Sequence, residues 1–215
     1  MPDNAISDRG PGPSEATREL LALELSHRIK NILSVVSGIV ALASRNQPEL
    51  RAFVRIVQSR IDALALAHDY LLGRPGAPLA KRDQTVHGLV RLMTAPFSRN
   101  DDAIAVQGPD IVIGPQMASY LALLLHELAT NAVKYGALSR ESGRITIACA
   151  EIDGRYAITW REDGGPPIDG EPESNGFGTA MFERVAALAG IGVKRSWSPK
   201  GLRVAIVISS NRAAE

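Results

Sequence analysis

Four clusters of side chains have the types and spacing for phosphoryl chemistry. The richest is the run HELATNAVKYG, His126 to Gly136. Glu127, Asn131 and Lys134 stand at i, i+4 and i+7, which places them on one face of a helix. Together a carboxylate, a carboxamide and an ammonium can make a Mg²⁺–triphosphate site. Asn131 offers a hard oxygen to the metal. Lys134 neutralises phosphate, and Glu127 orients or deprotonates an attacking group. The same spacing also serves an ordinary surface network on a helix.

The second cluster is WREDGGPP, Trp160 to Pro167, at the end of a strand pattern. A carboxylate there, Glu162, can accept a hydrogen bond from the amino group of adenine. Gly164 and its neighbour let the backbone approach a flat ring. Gly-Gly-Pro-Pro is also a good turn by itself. The third cluster is Gly176-Phe177-Gly178-Thr179, opening a helix, where free N–H groups bind phosphate. The Pro/Glu/Ser-rich stretch before it, residues 166–175, has the composition of a lid. The fourth is His27, which lies nearly opposite the apolar seam of its own helix, beside Lys30, Asn31 and Ser34. An imidazole with an ordinary pKa near ~6.5 is largely neutral at neutral pH and can attack phosphorus without a strong base. By itself, such a residue reads better as a plain surface histidine. His68 sits on an apolar seam and reads as structural; His87 has no partner in view.

These residues need elements to position them. A helical pattern runs from Ser14, a possible cap, to Arg45. Asn46-Gln47-Pro48 marks a turn, and a second helical pattern runs to Leu72. Leu25, Ile29, Ile32, Val36 and Ile39 form a seam on the first helix; Val54, Val57, Ile61, Leu64, His68 and Leu71 form one on the second. Two helices cannot bury two seams by themselves, so a homodimer through residues 18–72, forming a four-helix bundle, is expected. The alternative is packing of a seam on the second half of the chain. Beyond the linker Gly73 to Pro78 the pattern is mixed α/β. Helices are expected at 83–97, 115–135 and 177–189. Strands are expected at 103–107, 144–150, 155–161, 192–197 and 202–208, with a hairpin turn at Asp153-Gly154. The organisation is a disordered leader over 1–15, a helical domain over 16–74 and an α/β domain over 79–211.

Composition narrows the classes of function. The chain has 215 residues, with 24 Lys and Arg against 23 Asp and Glu, a formal net charge of +1. That balance argues against a nucleic-acid partner. One cysteine, Cys149, rules out an internal disulfide and a multi-Cys zinc site. The N-terminus lacks the apolar core of a signal peptide. The apolar stretch Ile32 to Ala43 is too short to span a bilayer. No membrane partner and a cytoplasmic location are expected.

The four clusters, in their chain order from His27 to Thr179, resemble the HWE-type sensor histidine kinases of two-component systems. LSHRIKN resembles the H box, with His27 as the implied phosphoacceptor. RIDALALAHDYLL resembles the end of the second dimerisation helix, HELATNAVKYGALS the N box and GFGTAM the second glycine box. The histidine and the W-x-E of the type's name fall on His126, Trp160 and Glu162. The resemblance implies a helical dimerisation hairpin followed by an α/β sandwich of the gyrase/Hsp90/histidine-kinase type. It implies ATP and Mg²⁺ as cofactors, Glu127 as the N-box acid and Asn131 as the Mg²⁺ ligand. Lys134, Tyr135, Glu162, Gly164, Gly176, Phe177, Gly178 and Thr179 would hold nucleotide. It also implies autophosphorylation of His27 and transfer to an aspartate of a response-regulator receiver domain. Kinases of this type carry an input domain ahead of the H box, and 26 residues precede His27 here. The chain is then a catalytic core of a longer kinase or one governed by a separate sensor protein. A phosphotransferase or response-regulator phosphatase on the same scaffold ranks second, because such proteins lose N-box or glycine residues. An anti-sigma-type kinase or ATPase ranks third, because it lacks the hairpin with its histidine.

Overall fold

A computed structural model describes residues 15–72, 84–100, 102–170 and 177–209. The expected leader up to Ser14, the linker 73–78 and Gly176 lie outside the described residues. Helix α1 (Glu15–Ala43) turns at Ser44, whose hydroxyl donates to the Ala41 carbonyl at 3.0 Å. Pro48 opens a short 3-10 turn, Pro48–Leu50, that leads into α2 (Arg51–Leu72). Proline suits that position because its missing N–H has no helical partner to lose. The hairpin is tied by Lys30 Nζ to Asp69 Oδ1 at 2.6 Å. No helix among the described residues is long and apolar enough to cross a membrane.

The second half folds as α3 (Val86–Thr94), β1 (Ile104–Gln107), α4 (Pro115–Lys134), β2 (Arg144–Ile152), β3 (Arg155–Asp163), α5 (Phe177–Ala189), β4 (Gly192–Ser198) and β5 (Gly201–Ser209). The strands make one sheet in the order β1-β2-β3-β5-β4; β1 runs parallel to β2 and every other pair is antiparallel. Asp153 (φ 50°) and Gly154 (φ 67°) close the β2–β3 hairpin with two left-handed residues, as the Asp-Gly pair predicts. Alternate residues are buried: Ile145, Ile147 and Cys149 on β2, Ile158, Trp160 and Glu162 on β3, Val204, Ile206 and Ile208 on β5. This single apolar face joins α3, α4 and α5 in one core, filled from α4 by Met117, Leu121, Leu124, Leu125 and Leu128.

Helix α2 departs from the expected seam. Of its six seam residues only Val54 and Leu71 are buried; Val57, Ile61, Leu64 and His68 are half-buried. The buried stripe is rotated onto Arg60, Ala63, Ala67 and Leu71. It belongs to the core shared with α4, so α2 packs on α1 and on α4 together. Alanines at two successive turns let the helices approach closely. At the far end, Tyr70 Oη accepts from the Thr85 N–H at 2.9 Å and donates to the Thr85 carbonyl at 3.1 Å. The α1 seam meets no such partner: Leu25, Ile32 and Ile39 are each 60% exposed.

Candidate active site

A cleft of about 660 Å³ lies between α4, α2 and α5 and the ends of β3, β4 and β5. Its size is that of a small-molecule site. It gathers Glu127, Asn131, Lys134 and Tyr135 from α4, Glu162 from β3, and Gly178 and Thr179 from α5. Up to 52 positions separate these residues in the chain, yet the sheet and α4 bring them to one place. Phe177 opens α5 as expected. Gly164 is not among the lining residues. Its φ of +76° and the Ser142 carbonyl, which a Cβ would meet at 2.9 Å, assign it to a tight turn and not to the approach of a ring.

Glu127 is buried and pairs with Arg60 of α2 in a fork, Nε to Oε1 at 2.6 Å and Nη2 to Oε2 at 2.9 Å. Two parallel charge-assisted hydrogen bonds fix both side chains. Arg60, Ile56 and Ser59 make α2 a wall of the cleft, a role not read from the sequence. Its trace there is an arginine heading a stripe of small and apolar residues, Ala63, Ala67 and Leu71, at spacings of three, four and four. Gly178 rests on this pair: a Cβ there would come within 2.8 Å of Glu127 Oε2 and 3.5 Å of Arg60 Nη2. Glycine at this position therefore lets the start of α5 close on α4.

Glu162 lines the cleft as expected, and each of its oxygens accepts from a protein donor. Oε2 takes the Ala137 N–H at 2.8 Å and Oε1 takes the Trp160 indole N–H at 3.0 Å. Trp160 and Glu162, two apart on β3, share its buried face. Together they clamp the turn that follows α4. Burial pushes the Glu162 carboxyl up, while the Ala137 and Trp160 hydrogen bonds pull it down. Glu162→Gln is expected to lose about 1–3 kcal/mol in urea unfolding, because an amide NH₂ then meets an N–H donor with no acceptor between them. Unchanged stability in that variant would remove the clamp.

His126 stands beside the cleft without entering it. Its ring meets Phe97 edge-on, centroids 5.7 Å apart at 62°. Burial lowers its pKa, against the opposing effect of Glu127. A neutral imidazole here holds α4 to the turn after α3. Across the cleft, the Arg195 guanidinium lies 5.3 Å from the Phe182 centroid and 5.9 Å from that of Trp197, and pairs with Glu183 at 2.8 Å. Arg195 and Trp197 line the β4 wall and were not singled out from sequence. Cys149 is no nucleophile, since burial and the nearby Asp110 push its thiol up to about 11. His87 does have a neighbour, Asp110, at 4.0 Å. His68 is half-buried with its pKa lowered by burial, as a structural histidine should be.

Among the described residues no group of three or more His, Cys, Asp or Glu could hold a metal ion by itself. Mg²⁺ needs no such group when substrate phosphates supply its ligands. Asn131, exposed in the cleft, supplies one amide oxygen, so the residues fit a metal that is shared with a triphosphate.

His27 is exposed on α1 and lies apart from the cleft. The Lys30–Asp69 pair fixes its level on the hairpin. From there the level of Arg60 is about 18 Å away along the axis, at 1.5 Å per residue.

Residues 24–110 match the family described as HWE histidine kinase. The blue-light-activated histidine kinase 1 of Erythrobacter litoralis is 35% identical over 196 residues, 89% of this chain and 53% of that protein. A blue-light-activated histidine kinase of Brucella anthropi is 33% identical over 177 residues, 80% of this chain and 35% of that protein. The chain thus spans about half the length of the first relative and about a third of the second. The solved histidine kinase domain of an Erythrobacter litoralis blue-light-activated histidine kinase shares the fold, with a TM-score of 0.58 and 22% identity over 94% of this chain and 97% of that one. Residues 24–110 thus belong to the HWE histidine kinase family, and the relatives matched over most of this chain are histidine kinases.

Proposed function

We propose that the chain moves the γ-phosphoryl group of ATP to His27 and from there to an aspartate of a receiver domain. The bond from phosphorus to the ADP oxygen breaks, a bond to an imidazole nitrogen forms, and the imidazole gives up its N–H proton. The observation that carries the reading is the cleft itself, where a carboxylate, a carboxamide and an ammonium on one face of α4 meet a glycine-opened helix. Lys134 neutralises phosphate, and Gly178 and Thr179 of the first turn of α5 line the same space. Asn131 would hold Mg²⁺, and the metal would offset phosphate charge when bound. Glu127 accepts the imidazole proton. Most of the acceleration comes from positioning and charge neutralisation. Purified chain given γ-labelled ATP should incorporate label that is lost in acid and kept in base. Acid-stable label, or none, overturns the assignment.

We further propose that two hairpins associate through α1 in the cytoplasm, with Leu25, Ile29, Ile32, Val36 and Ile39 as the contact. All five are exposed in the single chain. Ile32→Glu should dissociate the dimer, since it sets an unpaired charge in an apolar interface. Light scattering decides: a monomeric wild type at micromolar concentration ends this proposal.

A further inference from the structure

Arg60 belongs to the helical hairpin and Glu127 to the α/β domain, and 67 positions separate them in sequence. Their pair is buried, with the two side chains 9% and 8% exposed. It ties the hairpin to the cleft, because Ile56, Ser59 and Arg60 of the same helix form one of its walls. The guanidinium donates to both oxygens of Glu127, so the carboxylate is held in this pair and is not free to turn toward an attacking imidazole. His27 stands toward the other end of the hairpin, level with the Lys30–Asp69 pair. As folded here, the molecule has a nucleotide cleft, a base and a phosphoacceptor that cannot meet.

We propose that the Arg60–Glu127 pair is an autoinhibitory latch, and that Arg60 is the positioning residue through which the hairpin withholds the base. The inference rests on the kinase reading above and adds its control. Arg60 reacts with nothing; it acts through Glu127. An exposed pair could not do this, since water competes for both partners. A buried fork resists loss of either partner because the remaining charge stays in the interior. Release therefore requires α2 to move off α4 as a body, which opens the wall and frees the carboxylate in one event. Whatever displaces α2 controls phosphorylation. The alanine contact at Ala63 and Ala67 offers it little other resistance, since those side chains bury little area.

The full chain carrying Arg60→Gln tests this, with Arg60→Lys beside it to keep the charge and lose the fork. Single-turnover labelling of His27 should rise by about 5- to 100-fold in Arg60→Gln, the range of ordinary coupling between sites. Arg60→Lys should fall between it and wild type. ATP affinity by calorimetry should not change. Hydrogen exchange should quicken in α2 from residue 60 onward and in the facing turns of α4, while the sheet keeps its protection. Slower labelling, or ATP affinity lost with it, overturns the latch and makes Arg60 a nucleotide ligand. If no variant, wild type included, labels His27, the kinase reading fails and exchange alone judges the latch. Unchanged exchange across α2 and α4 then overturns it, and faster exchange upholds it as a control on whatever the cleft does.

Discussion

His27→Ala is expected to abolish acid-labile labelling and leave ATP affinity unchanged. The imidazole is exposed on α1 and does not line the cleft. Removing it takes away the nucleophile and nothing that holds nucleotide. Truncation of an exposed side chain also leaves stability within about 0.5 kcal/mol. Labelling at a fixed protein concentration and calorimetric titration with ATP, run on the same preparation, separate the two quantities. Label retained in this variant would move the phosphoacceptor elsewhere.

Glu127→Gln should be the second largest effect. Loss of the base lowers the single-turnover rate by about 10²- to 10⁴-fold. ATP affinity should hold, because the γ-phosphate end of the cleft keeps Asn131 and Lys134. Glutamine is the right replacement, since it still offers Arg60 one oxygen. Alanine would leave the guanidinium buried without its carboxylate at a cost of about 3–5 kcal/mol, mixing stability with rate. The two members of one ion pair thus shift the rate in opposite directions: Glu127→Gln slows labelling and Arg60→Gln speeds it. A pair that only stabilised the fold would slow both. If Glu127→Gln loses ATP affinity at an unchanged rate, the carboxylate binds nucleotide and the base lies elsewhere.

Local pattern carried much of this molecule. The helix expected at 177–189 is found at those bounds, and the strands about Asp153-Gly154 extend two residues past their expected ends at 150 and 161. Periodicity and turn chemistry act within a few residues, so they speak for elements of this kind. The face of α4 that bears Glu127, Asn131 and Lys134 was legible for the same reason. What was not legible is what those residues touch. Arg60 and Glu127 meet only because α2 docks on α4, and no spacing in the chain encodes that distance. Hydrophobic periodicity weighs large side chains above small ones, so it chose Val57, Ile61 and Leu64 over Ala63 and Ala67. Yet the alanines are the more deeply buried, because small side chains are what close helix packing admits. Glu162 shows the limit from another side. Its place at a strand end was clear, but its acceptance of the Ala137 and Trp160 protons depends on how the turn after α4 folds back over the sheet.

The hydroxyl of Tyr70, bound twice to Thr85, makes α2 a lever. Its fulcrum is at Tyr70, and the Arg60 end is the long arm, ten residues or about 15 Å away. Tilting the helix by about 10° sweeps that end through about 2.6 Å, which is the length of the Arg60–Glu127 contact. His27 is carried by α1 and not by this arm. Under the proposed latch, a slight tilt would part Arg60 from Glu127 without bringing His27 to the cleft. Delivery of His27 is a separate displacement, and the chain whose cleft opens need not be the chain whose histidine arrives.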